Sequence, residues 1–510
     1  MSVATFISRI LGLIRELLIA AYFGASGMTD AFWVAFRVPN MLRDLFAEGN
    51  FNSAFLPILT EESKKSKAKG LEVFWSAGVL LLVSTSLCSI GVIYFSEEII
   101  LGIAPSFQKQ PEVFQVTVNS IKVLSFFLPL VSLAALSMSY LNTKKVFFAP
   151  ALAPASLNVM MILSIIFMTP IFISNGAQPV YALTLGGITG GAMQLLVQVP
   201  FLVKNSAFSR VKIALMSAPV KKILYRMSFG LVGVAATQIN LLVGTFLATG
   251  AGVGSVSYLT YSLRLFQFPV GIFGVSLSNS NLVFFSDAVK DGDFRLARSI
   301  LKKSYHLSVL VLIPASFFLW TFSREFTYLI FERGAFGELD REMTSTALRA
   351  YLYGLPFYCV FKLLAPTFYA LDKEKYPILI SAFSVLINIL FSVSLIDSYG
   401  FVILAYGVSI SVVVNSLLQV IFLRPLLGIG FRFFLTATAA RILSSGLIAL
   451  GLIFYLKSFM FDLLFKSWFK TFISVFTLGF LFALIYLTCL YSLGAKEQIN
   501  YFINKINRNK

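Results

Sequence analysis

The sequence predicts an all-α polytopic membrane protein with about 14 transmembrane helices, built as two pseudo-symmetric six-helix halves plus two C-terminal helices. Three observations carry this reading: composition, the placement of cations, and an internal repeat. Of 510 residues, 58% are hydrophobic and only 13% charged, and the mean hydropathy is +0.84. A soluble domain carries about 25% charged residues. The apolar runs are long and continuous, which favours helices of about 20 residues over short alternating strands.

In chain order the candidate spans are 3–24, 29–60, 73–95, 119–141, 148–174, 179–203, 223–248, 255–286, 303–323, 345–371, 376–397, 400–423, 436–456 and 468–493. Loops after even-numbered spans carry the cations. Lys64, Lys65, Lys67 and Lys69 follow the second, Lys144 and Lys145 the fourth, and Lys373 and Lys375 the tenth. With the C-terminal tail, this side holds 25 Lys and Arg against seven in the opposite loops. Basic loops stay in the cytoplasm, so both termini are predicted there. The asymmetry explains the net charge of +18 as topology. It points to anionic phospholipids at the cytoplasmic face, not to nucleic acid. The first twenty residues lack a basic n-region and a clean cleavage site, so they read as a span, not a cleavable signal peptide.

The repeat has an offset near 230. FRVPN (36–40) matches RLFQFP (264–269), and LNTKK (141–145) matches LDKEK (371–375). The pairs Pro129/Pro356 and Pro150/Pro377 follow at an offset of 227. These matches divide the chain into an N-terminal half (1–205), a cytoplasmic linker (206–222), a C-terminal half (223–425), two extra helices (436–493) and a basic cytoplasmic tail (494–510). Many secondary transporters are built from such repeats, with the substrate between them.

Nine cations fall within spans or at their edges: Arg9, Arg15, Arg37, Arg43, Lys122, Arg226, Arg264, Arg349 and Lys362. Charges there are costly and normally face a polar cavity or one another. Helical residues seven apart share a face. Arg9 and Glu16 are thus expected to pair, and Asp30, Arg37 and Asp44 to form a stripe. Pro39 would bend that stripe, with Pro269 as the matching hinge. Arg15 is expected to point away from Glu16, and Arg43 to lie about 100° from Asp44. Arg15, Arg43 and Arg264 are therefore left for an anionic ligand, while Arg9 and Arg37 read equally well as struts. Guanidinium groups suit phosphate or diphosphate through paired charge-assisted hydrogen bonds. The glycine-rich stretches 21–30 and 184–194 read as a tight loop and a helix-packing face in preference to phosphate cradles.

No nucleophile–base pair, metal-ligand spacing or nucleotide-binding loop is present. No catalytic residue, metal or cofactor is therefore expected, and any coupling ion has no assigned site. Cys88, Cys359 and Cys489 sit in apolar runs as small packing residues. His306 stands alone.

SRILGLIRE (8–16), YFGASGMTDAF (22–32) and FRVPNMLRDLFAEGNFNSAFLPIL (36–59) closely resemble the MurJ/MviN family. These are bacterial lipid II flippases of the multidrug/oligosaccharidyl-lipid/polysaccharide exporter superfamily. The resemblance continues through 141–158, 261–278 and 362–377, and so covers nearly the whole chain. It implies a protein of the bacterial inner (cytoplasmic) membrane that opens alternately to either side, with no enzymatic activity. Lipid II would place its diphosphate and sugar–peptide headgroup in a central cationic cavity, with its polyprenyl tail in a groove formed with 436–493. The family's cavity arginines map onto Arg9, Arg15, Arg43 and Arg264, and its cavity aspartate onto Asp30. Arg37, Glu48 and Lys362 fall at other polar positions and, with Glu16, are cavity or gating candidates. The expected partner is lipid II and the expected state a monomer. Gln267 stands where relatives can carry an acid. The rival readings are a flippase for another polyprenyl-diphosphate glycan, a multidrug exporter, or a membrane enzyme using an outer-loop acid such as Glu332, Glu338 or Asp340.

Overall fold

The computed structural model describes residues 2–46, 50–209, 211–271, 284–459, 465 and 467–495. Glu48 lies outside these residues. Among the described residues the regular structure is helical throughout. The first helices are α1 (Ser2–Phe23), α2 (Gly27–Phe46), α3 (Asn50–Lys65), α4 (Lys67–Tyr94), α5 (Ser96–Ile103) and α6 (Pro111–Leu124). Next come α7 (Phe127–Thr143), α8 (Phe148–Ser174), α9 (Tyr181–Leu196), α10 (Val199–Lys204), α11 (Ala218–Gly250) and α12 (Ser255–Pro269). The remainder are α13 (Phe294–Thr321), α14 (Ser323–Phe331), α15 (Glu338–Leu352), α16 (Leu355–Ala370), α17 (Lys375–Tyr399), α18 (Val402–Leu427), α19 (Phe431–Phe434), α20 (Ala437–Phe459) and α21 (Trp468–Ser492).

Over their described residues the predicted spans coincide with one of these helices or a consecutive pair, the eighth as far as Pro269; residues 272–283 lie outside the described residues. Among the described residues, nine helical segments are long and apolar enough to cross a membrane on those grounds alone. The other five predicted spans fall on α1, α2–α3, α11, α12 and α15–α16. Each of these holds charge: Arg9, Arg15 and Glu16; the Asp30–Asp44 stripe; Arg226; Arg264; and Arg349 with Lys362. Polarity and membrane placement thus coincide where the sequence departs most from a simple apolar run. The break between α15 and α16 has a local cause, because Pro356 sits in the first turn of α16, where its missing N–H costs nothing.

The chain forms two compact units. The first comprises Met1–Ser257 with Arg333–Phe336, and the second comprises Tyr258–Glu332 with Gly337–Lys510. In the first unit α4 packs on α7, α7 on α9, and α8 along α9. In the second, α13 packs on α16, α16 on α18, and α17 along α18. The same three pairings, of the third, fourth, fifth and sixth spans in each run of six, thus occur in both units. The repeat begins its second copy near 223, whereas packing assigns α11 to the first unit, where it lies on α2 and α3.

The first unit's core includes Phe51, Phe55, Phe74 and Tyr140. Residues 333–336 also belong to this unit. There the Ala335 N–H donates to the Ala21 carbonyl at 2.7 Å. Gly334 has a φ of +61°, and a Cβ would meet that same carbonyl at 2.1 Å, so no other residue fits. The second unit's core joins α13 to the two extra helices, through Leu301, Tyr305, Ile442, Ile453, Leu478 and Tyr486. The Tyr486 hydroxyl donates to the Leu310 carbonyl at 2.8 Å. Lys457 pairs with the buried Glu325 at 2.7 Å.

The stretch 184–194 is a packing face, as its glycines predicted. Cβ atoms at Gly186 and Gly190 would meet Met161 Cα at 2.9 Å and Leu157 Cα at 3.0 Å on α8. Cβ atoms at Gly187 and Gly191 would meet Leu124 Cδ2 at 2.8 Å and Phe127 Cδ2 at 2.5 Å. The stretch 21–30 is the tight turn between α1 and α2, closed by the Thr29 hydroxyl on the Phe23 carbonyl at 3.0 Å. Gly190→Leu should destabilise the purified protein by about 1–3 kcal/mol through overpacking, read as a lower melting temperature. Gly91→Ala, where nothing lies within 4 Å of the added Cβ, should not lower it.

Candidate functional site

The charged stripe of α2 faces α11 and the start of α12, all within the first unit. Asp30 is 1% exposed. Its Oδ2 accepts from the Gly254 N–H at 2.7 Å. Its Oδ1 accepts from the Ser257 N–H at 2.8 Å and the Ser257 hydroxyl at 2.6 Å. Gly254 and Ser257 flank the first residues of α12, so Asp30 caps that helix from another element. It satisfies N–H groups that lack intrahelical partners and meets the positive end of the helix dipole. One heptad on, Arg37 Nη1 donates to Thr245 Oγ1. The Thr245 hydroxyl donates onward to the Leu241 carbonyl at 2.7 Å. One heptad further, Asp44 Oδ2 accepts from Gln238 Nε2 at 3.4 Å. Residues 30, 37 and 44 thus run against 254–257, 245 and 238, an antiparallel polar seam.

Some of the charges in the spans were expected to neutralise one another; Asp30 instead gives its carboxylate to α12 and not to Arg37. Charges one heptad apart on one helix are about 10 Å apart along the axis, too far for direct contact, whereas an antiparallel neighbour is close at every level.

Arg15 and Arg43 also depart from expectation. Arg15 Nη2 pairs with Glu16 Oε1 at 2.6 Å, and its Nη1 donates to Asn158 Oδ1 of α8 at 2.9 Å. The Asn158 amide donates to the Ser8 carbonyl at 3.1 Å. Arg43 Nη2 pairs with Asp44 Oδ1 at 3.0 Å. Adjacent residues leave a helix about 100° apart, but a long arginine side chain curls back across that angle. Neither residue therefore stands in this conformation as an uncompensated charge awaiting a ligand. Both arginines remain partly accessible, with side chains 11% and 22% exposed. Arg9 is exposed on α1. Pro39 lies within α2, which continues through it to Phe46.

In the second unit Arg264 and Gln267 are exposed on α12, which the described residues carry to Pro269. Lys362 is exposed on α16, over the rings of Tyr358 and Phe361. Arg349 donates to Ser323 Oγ at 2.7 Å and is a strut between α15 and α14. The outer-loop acids offer no free general acid. Glu332 and Glu338 bind Arg341 at 2.8 and 2.6 Å. Asp340 accepts from the Tyr258 hydroxyl and the Gly337 N–H, each at 3.1 Å. Burial pushes the Glu332 carboxyl above its usual range, against the pull of Arg341. Among the described residues no group of His, Cys, Asp and Glu has the makings of a metal site. His306 Nε2 lies 2.8 Å from Thr436 Oγ1.

Sequence reasoning passed over Asn158, Gln238, Thr245 and Ser257. Gln238 and Thr245 repeat the seven-residue spacing of the α2 stripe, a signal that was there to be read. Asn158 and Ser257 carry no local signal at all.

An all-helical chain with repeated helix pairings and arginines set into its spans defines a multi-pass membrane transporter. The model of the family described as lipid II flippase MurJ matches residues 19–477. The chain belongs to this family. It is 35% identical over 419 residues to the probable lipid II flippase MurJ of Buchnera aphidicola subsp. Acyrthosiphon pisum, covering 82% of this chain and 81% of that one. It is 32% identical over 454 residues to the lipid II flippase MurJ of Burkholderia cenocepacia, covering 87% of each. A solved lipid II flippase MurJ in an inward closed conformation superposes with a TM-score of 0.81 at 26% identity, covering 98% of this chain and 99% of that one. An inward-facing multidrug-resistance transporter of the MATE family shares the fold, with a TM-score of 0.70 at 12% identity over 82% of this chain. These relatives are transporters and not enzymes.

Asp30→Ala should leave the Gly254 and Ser257 N–H groups unmet at about 1–3 kcal/mol each, with Asp30→Asn milder because one acceptor oxygen remains. Thr245→Val removes an acceptor from Arg37, a bond of about 1.5–3 kcal/mol. Denaturant unfolding of the purified variants in detergent measures both. Unchanged midpoints would show that the seam contributes nothing.

Proposed function

We propose that this chain moves lipid II from the cytoplasmic to the outer leaflet of the bacterial inner membrane, by alternating access, for cell-wall synthesis. The observation that carries this is the family match across 19–477, which spans Asp30, Arg37, Arg43, Arg264 and Lys362. Its near-neighbours in sequence carry the name lipid II flippase over more than four-fifths of this chain. The chain works as a monomer, because one chain contains both copies of the repeat. Both termini face the cytoplasm, on the evidence of the basic loops, and those loops rest against anionic phospholipid.

The substrate diphosphate binds Arg15, Arg43 and Arg264, with Arg9 nearby. In this conformation Arg15 and Arg43 already hold carboxylates, so binding is an exchange of counter-ions and not the quenching of bare charge. The diphosphate displaces Asp44 from Arg43 and shares Arg15 with Glu16. A displaced Asp44 keeps Gln238, so no carboxylate is stranded. The return of Asp44 to Arg43 then helps release the headgroup outside. The prolines Pro39 and Pro269 serve as hinges. No cofactor takes part. The driving force is the membrane potential or an ion gradient, and a charge crossing the field is worth about 2.3 kcal/mol per 100 mV.

The test is depletion of the protein in its host with complementation, reading lipid II exposed on the outer leaflet. The wild-type gene should restore exposure. Arg43→Ala with Arg264→Ala should reduce it roughly tenfold or more, given the strength of hydrogen bonds between charged groups. Normal exposure in depleted cells rejects the flippase reading. Full function in a stably expressed double variant rejects the diphosphate assignment.

A further inference from the structure

Lys362 sits in the middle of α16 (Leu355–Ala370), within the predicted span 345–371. It lies eight residues before the end of α16 at Ala370, about 12 Å along the axis. That exceeds the reach of a lysine side chain, so the ammonium cannot snorkel to the interface. Its side chain is nevertheless exposed. The nitrogen stands 5.5 Å from the ring centroid of Tyr358 and 5.6 Å from that of Phe361. Among the described residues it has no carboxylate and no hydrogen-bond acceptor. An ammonium facing hydrocarbon is costly, and intramembrane lysines normally face the bundle interior or a water-filled cavity, which assigns Lys362 to a polar space. The two rings stabilise the cation without neutralising it. What the site lacks is an anion.

The position of that anion follows from the neighbouring helix. α12 and α15 run in the same direction: the Tyr258 hydroxyl reaches Asp340, and four residues on the Ser262 hydroxyl reaches the Thr344 carbonyl. Phe266 continues this line onto Tyr351 and, edge to face at 5.7 Å, onto Tyr358 of α16. Arg264 precedes Phe266 by two residues, and Lys362 follows Tyr358 by four. The two cations are therefore offset by about 9 Å along the helices. Lys362 thus stands one level along from Arg264, and a ligand whose diphosphate lies at Arg264 would present a second anionic group to Lys362.

We propose that Lys362, held by Tyr358 and Phe361, binds a carboxylate of the peptide part of the lipid II headgroup. This rests on the flippase reading and adds to it a residue that reads the peptide and not the diphosphate. Lys362 thereby distinguishes a complete headgroup from a bare polyprenyl diphosphate.

The experiment measures equilibrium binding to the purified full-length protein. The probes are lipid II, undecaprenyl diphosphate, and lipid II with its peptide carboxylates amidated. Lys362→Met should weaken lipid II binding roughly tenfold or more, leave undecaprenyl diphosphate unchanged, and bind amidated lipid II as the wild type does. Lys362→Arg should retain most of the lipid II affinity. An unchanged melting temperature in both variants shows that the fold is intact. Unaltered lipid II binding by Lys362→Met overturns the proposal. So does equal weakening of lipid II and undecaprenyl diphosphate, which would place Lys362 on the phosphates. Wild-type protein that binds undecaprenyl diphosphate with no preference for lipid II overturns the peptide contact but not diphosphate capture. Wild-type protein that binds neither lipid overturns the flippase reading with it.

Discussion

The seam between α2 and α11 rests on a single constraint: a charge in a low-dielectric segment must be met by directed dipoles or by an opposite charge. Asp30 meets it with the N-terminus of α12, Arg37 with a threonine hydroxyl, and Asp44 with a glutamine amide and an arginine. The three contacts occur at three successive heights, which fixes how α2 lies against its neighbour. Apolar packing alone would not choose among heights, because neighbouring apolar turns are nearly interchangeable. The polar contacts choose, since a shift of one turn would strand all three groups.

The same constraint explains why the arginines of α1 and α2 carry carboxylates beside them in sequence. Glu16 next to Arg15 and Asp44 next to Arg43 keep each cation near neutral while no ligand is bound. A guanidinium has five N–H groups and a carboxylate engages at most two of them in good geometry, so pairing with the adjacent carboxylate does not by itself use up its donors. A cation prepaired in this way is stable in the membrane and still available. The opposite solution appears at Arg341, where Glu332, Glu338 and Glu342 surround one guanidinium. That residue is 4% exposed and serves as a strut of the outer loop.

Much of the fold was legible in the chain. Long apolar runs, alternating basic loops and matched prolines led to fourteen spans, and each one falls on helix over the residues the structure describes. The glycines of 184–194 read correctly as a packing face, because a row of absent side chains on one helix face has few other uses. The site was legible as a set of residues but not as a set of contacts. Heptad spacing placed Asp30, Arg37 and Asp44 on one face, which is correct. It could not say that the face belongs to α11, since 238 and 245 lie some two hundred residues away. It also misjudged Arg15 and Arg43, because the angle between Cα–Cβ bonds says little about where a long flexible side chain ends.

The sequence by itself determined the class of protein, the approximate number of spans and the residues that carry charge within them. Each of these is a local property, set by the transfer of side chains between water and lipid along short stretches of chain. Only the tertiary structure decided which charges pair, that Asp30 is a helix cap, that α11 joins the first unit, and that Lys362 stands on two rings with no carboxylate beside it among the described residues. Those are contacts between segments remote in the chain, and their energies depend on distances of a few ångströms that no local pattern encodes.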